Sequence, residues 1–153
     1  MNDEVLSPAQ HAAAIDDSRQ RLCDFALGCT DEQWRSAPIE GDPRSVSVIT
    51  DHVAHAYEYL AGWIRGMLSG ESPEVTSDIV DGLNAEHATA AAGLSQRQVT
   101  DHLKSSGDAL ITLISGLEPS QLELGGGRVS RFAEIAARHA DAHRSEIEAA
   151  ISS

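Results

Sequence analysis

The sequence predicts an all-α protein whose helices pack into a four-helix bundle. Three observations favour this fold. Apolar residues recur at helical spacing along four segments, helix-capping residues precede those segments, and only 4% of the residues are aromatic. Such a core must be built from Ala, Leu, Ile and Val, which suits packed helices better than a β-sandwich. At 153 residues the chain predicts a single domain, residues 1–153, because it is too short for two cores.

Four long helical segments follow from this periodicity. Their predicted bounds are 8–28, 46–68, 78–116 (interrupted near Gly93) and 130–151. Ser7 followed by Pro8 is a typical helix start, with Ser as the N-cap and Pro at the first helical position. Ser45 is expected to cap the second helix. A second helix start inside the third segment is predicted by the spacing of two residues, Ser95 and Gln98.

Shorter signals mark the connections between these segments. The residues from Thr30 to Gln33 have the pattern of a capping box, and they predict a short helical turn that carries Trp34. Three consecutive glycines at 125–127 predict a flexible joint before the last helix. The apolar stripes are expected to place Ile79 and Ile135 against the core.

Composition excludes several classes of function. The chain has 11 Lys+Arg against 24 Asp+Glu, a formal net charge of −13. Such a surface repels phosphate backbones and anionic lipids, so neither nucleic acid nor a membrane is expected as a partner. No apolar run approaches the length of a bilayer span, and the acidic N-terminal segment MNDEVLSPAQ does not resemble a signal peptide. Two cysteines without metal-binding spacing, Cys23 and Cys29, are expected to be reduced thiols in a cytoplasmic protein.

The most specific motif is a pair of histidines on the last helix. His139 and His143 lie four positions apart, which places both imidazoles on one side of the helix, one turn apart. Two such rings can reach a single ion about 2 Å from each nitrogen. His52 lies on the inward stripe of the second helix and is the natural third ligand, because bundle cores build metal sites from facing helices. The sequence therefore predicts a divalent metal site at His52, His139 and His143.

Three imidazole ligands leave coordination positions open, which is typical of a catalytic ion. Imidazole suits zinc, nickel, copper or iron, and zinc or nickel is expected first. A lone inward histidine is more often a hydrogen-bonded core residue than a ligand. Three buried imidazoles each need a polar partner, however, and one shared ion satisfies all of them. Protons are expected to weaken binding below roughly pH 6, because imidazole ordinarily titrates near about 6.5.

The remaining polar candidates are assigned secondary roles. His55 follows His52 by three residues and is expected to be partly exposed, with a ligand or proton-shuttle role as alternatives. Asp51 and Asp141 are neighbours of the ligands in sequence. Adjacent helix positions point away from each other, so these carboxylates would act only across helices. Exposed, solvent-facing or capping positions are expected for three histidines: His11, His87 and His102.

Two segments carry a resemblance to a known family. Residues 45–55 read SVSVITDHVAH on the second helix, and residues 138–147 read RHADAHRSEI on the last helix. With the helix order, the chain length and the interrupted third helix, they resemble the DinB/YfiT-like superfamily of metal-binding four-helix bundles over nearly the whole chain. The resemblance implies an up-down-down-up topology, often dimeric. It also places the three metal ligands on His52, His139 and His143.

The same resemblance implies a function. Relatives include thiol-dependent transferases and the N-terminal domain of mycothiol-dependent maleylpyruvate isomerase, in which the metal activates a low-molecular-weight thiol. The expected function is therefore a metalloenzyme acting on a small electrophile, either a thiol-dependent transferase or isomerase, or a hydrolase. A small-molecule substrate, a thiol cosubstrate and a homodimer are expected. The alternatives are a non-catalytic metal-binding or stress-associated bundle and a purely structural dimerisation bundle.

Overall fold

Six α-helices and one 3-10 helix form the described part of the chain, which contains no strand. The computed structural model describes residues 5–152. Met1–Glu4, the start of the acidic N-terminal segment, and Ser153 lie outside the described residues. In order, the elements are α1 (Pro8–Gly28), α2 (Asp31–Arg35), α3 (Val46–Leu68), α4 (Ser77–Ala90), α5 (Gln96–Ser115), the 3-10 helix (Pro119–Glu123) and α6 (Leu124–Ser152). The predicted all-α class is confirmed.

Local side-chain hydrogen bonds determine where these helices begin. The Ser7 hydroxyl accepts a hydrogen bond from the backbone N–H of Gln10, and the Gln10 side chain accepts one from the backbone N–H of Ser7. This capping box satisfies two N–H groups that the first helical turn leaves without partners. The predicted starts of α2 and α5 are confirmed by the same reciprocal pairing, Thr30 with Gln33 and Ser95 with Gln98. The α5 cap divides the third predicted segment into two helices.

Three glycines define the entry to α6. Gly125, Gly126 and Gly127 have φ values of 66°, 69° and 85°, in the left-handed region that glycine adopts readily. The right-handed helix therefore begins at Arg128, slightly before its predicted start at residue 130. An added Cβ at position 125 would also lie 2.5 Å from the sulfur of Met67, so this buried side chain would have to shift.

The core lies among the four long helices. Both α1 and α3 pack against α5 and α6, whereas α4 packs against α3. Each long helix contributes fully buried aliphatic side chains, among them Ile15, Ile49, Leu103 and Ile147. No helix within residues 5–152 combines the length and the apolar character needed to cross a membrane.

Two apolar residues lie outside this core. The predicted inward positions of Ile79 and Ile135 are wrong, because these side chains are 38% and 42% exposed. Ile79 belongs to α4, which flanks the other helices instead of lying among them. The buried stripe of α6 passes through Ala136 and Ala140, and residue 135 is rotated about 100° from residue 136 around the helix.

A buried arginine joins α1 to α5. Arg19 is 8% exposed, and its guanidinium donates hydrogen bonds to the carbonyl of Lys104 at 2.8 Å and to the carboxylates of Asp108 and Asp16 at 2.7 Å. Gly107 leaves the space for this side chain. A Cβ added at position 107 would lie 2.5 Å from Cδ and 2.6 Å from Nη1 of Arg19.

We therefore expect Gly107→Ala to lower the free energy of unfolding by about 1–3 kcal/mol, because the new methyl group displaces the guanidinium from its partners. Gly62→Ala is the matched control. Gly62 is exposed within α3, and an added Cβ there meets nothing within 4 Å, so this change should stabilise the protein by roughly 0.5–1 kcal/mol. Urea unfolding measures both variants, and equal stabilisation by both would contradict the packing explanation.

Candidate metal centre

Three histidine rings from two helices converge on one point. Nε2 of His52, on α3, lies 3.1 Å from Nε2 of His139, on α6. Nε2 of His143 lies 2.9 Å from the same atom of His139. Ligand atoms of all three residues lie within 4.8 Å of one another, and within residues 5–152 this is the one group of histidine, cysteine or carboxylate side chains that could hold a metal ion. The structure thus brings together the three residues that the sequence predicts as ligands.

Two of the three distances between these nitrogens fit a shared metal ion. An ion in such a site lies about 2.0–2.1 Å from each nitrogen. Two ligand nitrogens are then about 2.9 Å apart when the nitrogen–metal–nitrogen angle is a right angle, and about 3.3 Å apart when the angle is tetrahedral. The observed distances of 2.9 and 3.1 Å lie within this range.

The same distances suit an N–H···N hydrogen bond between neutral rings. Both contacts involve Nε2 of His139, however, and this atom has either one proton or one lone pair. A hydrogen bond therefore satisfies only one of the two contacts, whereas a shared metal ion can bind all three rings.

The environment keeps all three rings in the neutral form. Burial, followed by the neighbouring His139 and His143 rings, lowers the pKa of His52 to about 2. Burial and the His143 ring lower the pKa of His139 to about 4, and burial also lowers the pKa of His143. Neutral imidazole is the form that ligates metal ions. In the folded protein, protons therefore compete with a metal ion for these ring nitrogens only at a pH more acidic than the ordinary histidine pKa.

A buried carboxylate lies beside this cluster. Asp51 precedes His52 on α3 and is 2% exposed. Its Oδ2 is 2.7 Å from Nε2 of His87 on α4, and its Oδ1 is 2.7 Å from Nδ1 of His102 on α5. The other ring nitrogen of His102 is hydrogen-bonded to Glu58. Asp51 therefore ties α4 and α5 to α3 next to the three converging rings.

The hydrogen bonds of this network fix its charges. Burial opposes the ionisation of Asp51, but the hydrogen bonds from His102 and His87 outweigh burial and lower the pKa of Asp51 to about 2. The hydrogen bond to Asp51, helped by the one to Glu58, raises the pKa of His102 to about 9 against the effect of burial. His102 is consequently a cation at neutral pH, so the buried carboxylate of Asp51 has a charged partner.

The raised pKa of His102 predicts a loss of stability in alkaline solution. The unfolded chain releases this proton near pH 6.5, whereas the folded protein holds it until about pH 9. The contribution of protonated His102 to the free energy of unfolding is thus complete below about pH 6.5. It is lost as the pH rises through about 9. The difference in free energy of unfolding between the wild type and His102→Gln should shrink over that range. An NMR titration that places the His102 midpoint at an ordinary histidine value would contradict this assignment.

The predictions for His87 and His11 are wrong. His87 does not face solvent or cap a helix, because it is buried and binds Asp51 across helices. His102 is partly exposed, and its ring also binds Asp51 across helices. His11 is not exposed: it is 1% exposed, and neither ring nitrogen has a partner among the described residues. His55 is half-buried, as expected, and its ring stacks on His87 with centroids 4.9 Å apart.

One sequence signal could have revealed the buried network. Residues 46–54 are all buried. Asp51 and His52 are the two acidic or basic residues among them. A carboxylate inside an uncharged helical run needs a buried polar partner, and histidines on the flanking helices can supply it. Asp141 behaves differently, since it lies near the surface and is paired with Arg21 and Arg144.

An ion pair in the loop before α3 also acts on the cluster. Arg44 Nη2 lies 2.8 Å from Oδ2 of Asp42, and Arg44 Nε lies 3.0 Å from Oδ1. The Arg44 hydrogen bonds lower the pKa of Asp42. The positive charge of Arg44 also contributes to the lowered pKa of all three converging histidines. Sequence analysis missed this pair because loop residues carry no helical periodicity.

Neither cysteine belongs to the site. Cys23 and Cys29 are free thiols, as predicted, and both are buried. Burial raises the pKa of each thiol. A thiol with a raised pKa holds little thiolate at neutral pH, so neither residue is a good nucleophile.

Comparison with known proteins identifies a related fold. No family model and no curated protein sequence matches the chain. A solved structure titled "Sibling Lethal Factor Precursor - DfsB" is similar, with a TM-score of 0.75 over 95% of each chain and 18% sequence identity. At this identity the likeness shows a shared fold alone. It supports the all-α architecture and leaves the function to be argued from the site.

Proposed function

We propose that this protein binds one divalent metal ion through His52, His139 and His143 and that it is a metalloenzyme acting on a small electrophile. The convergence of three Nε2 atoms, with neighbouring distances of 2.9 and 3.1 Å, carries the proposal. Zinc and nickel are the favoured ions, because three imidazoles with open coordination positions suit both. The neutral state of the rings supports the proposal, since no proton has to be displaced near pH 7.

We further propose that the chain belongs with the DinB/YfiT-like metal-binding bundles and shares their up-down-down-up topology. The packing of α1 and α3 against both α5 and α6 supports a four-helix core. The positions of the three histidines on α3 and α6 agree with the ligand positions that the resemblance implies. A homodimer and a cytoplasmic location accompany this proposal as expectations from the sequence.

The chemistry proposed for the site is nucleophile activation. A divalent ion, when bound, lowers the pKa of a coordinated water or thiol into the neutral range. The chain's own contribution is to keep the three imidazoles neutral and to hold them together, with His52 buried and His139 and His143 half-buried. Because Cys23 and Cys29 are buried and have raised pKa values, a thiol nucleophile would be a separate low-molecular-weight molecule. The proposed reaction class is a thiol-dependent transferase or isomerase, with a hydrolase as the related alternative.

Metal analysis of the protein purified without a histidine tag tests the ligand set. We expect about one divalent ion per chain in the wild type, and a loss of affinity of more than roughly 100-fold in His139→Ala and His143→Ala, because each removes a direct ligand. His55→Ala is the matched control, since His55 lies one turn from His52 but outside the converging group; it should retain the ion. Undiminished metal content in both α6 variants would show that the ligand assignment is wrong.

A non-catalytic metal-binding or stress-associated bundle is the runner-up function. The wild type and His52→Ala distinguish it from an enzyme when each is assayed with low-molecular-weight thiols and a chromogenic electrophile. Turnover by the metal-loaded wild type that is lost in His52→Ala supports the transferase. Equal rates in the two proteins leave metal binding or hydrolysis as the function of the site.

A further inference from the structure

α4 is attached to the bundle by few buried groups. The structure describes all fourteen residues of this helix, and among them His87 alone is buried. The helix packs chiefly against α3, and Ile79 in its first turn is 38% exposed. A helix that buries so little apolar surface opens from the native structure at a low cost in free energy.

Both ends of the segment that carries α4 are anchored to other elements. Before α4, Nη1 of Arg128 donates a hydrogen bond to the carbonyl of Pro73 at 2.8 Å. After α4, the carbonyl of Leu94 accepts a hydrogen bond from Nε1 of Trp34 at 3.0 Å. Residues 74–93 therefore form a strap between two anchored points, and movement of this strap away from α3 does not require the other helices to unfold.

One hydrogen bond holds the strap against α3. Nε2 of His87 lies 2.7 Å from Oδ2 of Asp51, and the His87 ring stacks on His55 with an interplanar angle of 17°. A hydrogen bond to an ionised carboxylate is stronger than one between neutral groups. The closed position of α4 therefore depends largely on the pair formed by His87 and Asp51.

Closure of α4 leaves two polar atoms next to His87 without partners. Oδ1 of Asn84, one turn before His87 on α4, is buried, and so is Nε2 of His55, whose ring stacks on His87. Neither atom has a hydrogen-bond partner among the described residues. A buried polar atom without a partner is unfavourable. Opening of α4 would return both atoms to water, which offsets part of the cost of breaking the bond to Asp51.

The His87 ring lies against the proposed metal centre. The centroids of the His87 and His52 rings are 6.1 Å apart, and His52 is 4% exposed. We propose that α4 is a lid over the metal centre and that the hydrogen bond between His87 and Asp51 is its latch. The metal ion and a small substrate reach the site when the lid swings out. What the lid covers rests on the metal centre proposed above, whereas the weak attachment of α4 does not.

Amide hydrogen exchange of the metal-free protein tests the lid by itself. We expect the amides of α4 to exchange faster than those of α3 and α5, whose opening exposes the core. His87→Leu keeps a side chain of similar size but cannot donate to Asp51, so it should speed exchange in α4 by about 10- to 100-fold. Glu86→Gln is the matched control, because Glu86 is exposed beside His87, and it should leave exchange in α4 unchanged.

Transfer of zinc to a coloured chelator tests what the lid covers. The zinc-loaded wild type and His87→Leu are each mixed with an excess of pyridylazoresorcinol, and the absorption of its zinc complex gives the rate of zinc loss. We expect His87→Leu to lose zinc about 10- to 100-fold faster. Its equilibrium affinity for zinc should stay within about threefold of the wild type, because a lid that opens more often speeds uptake and release alike.

Four results would overturn the inference. Equal protection of α4 and α3 amides in the wild type would show that α4 is not a lid, and this comparison needs no variant. Unchanged α4 exchange in folded His87→Leu would show that Asp51 does not latch the lid. Faster exchange without faster zinc loss, or faster zinc loss with a matching fall in affinity, would show that α4 does not gate the site. A wild type that binds no zinc would instead contradict the metal centre, while the exchange rates would still report whether α4 opens.

Discussion

The convergence of three uncharged imidazoles from α3 and α6 is the interaction on which the rest of the structure depends. His52 is buried, and His139 and His143 are half-buried. Ring nitrogens withdrawn from water need polar partners, so the rings face one another or a shared ion. This requires α3 and α6 to pack with His52 opposite the His139 and His143 turn. Burial also sets the protonation state, and neutral rings are the form in which histidine binds a metal.

Neighbouring histidines are held in different charge states by their surroundings. Burial and the adjacent imidazoles lower the pKa of His52 to about 2 and that of His139 to about 4. His102 lies between the carboxylates of Asp51 and Glu58, and its pKa rises to about 9. The cation on His102 balances the anion on Asp51, so α4 and α5 are fixed against α3 while the adjacent rings remain neutral.

Features encoded within one helix could be predicted from the sequence, and so could the convergence of His52 with His139 and His143, whose positions lie on inward stripes. Other contacts between helices could not. The caps at Ser7 and Ser95 and the one-turn spacing of His139 and His143 involve residues three or four apart, and all were predicted. The roles of His87 and His102 depend on a carboxylate of another helix, 36 and 51 residues away. Their own neighbours in sequence therefore gave no signal, and the loop residue Arg44 could be related to the site only through the fold.

The coordination of the bound ion tests most directly whether His52, His139 and His143 hold a metal ion. X-ray absorption spectroscopy of the zinc-loaded protein reports the ligand types and distances around the ion without any assumption about substrate. We expect three imidazole nitrogens at about 2.0–2.1 Å with light-atom ligands in the open positions. A first shell containing cysteine sulfur, or one formed by oxygen atoms without the multiple-scattering signature of imidazole, would contradict this expectation.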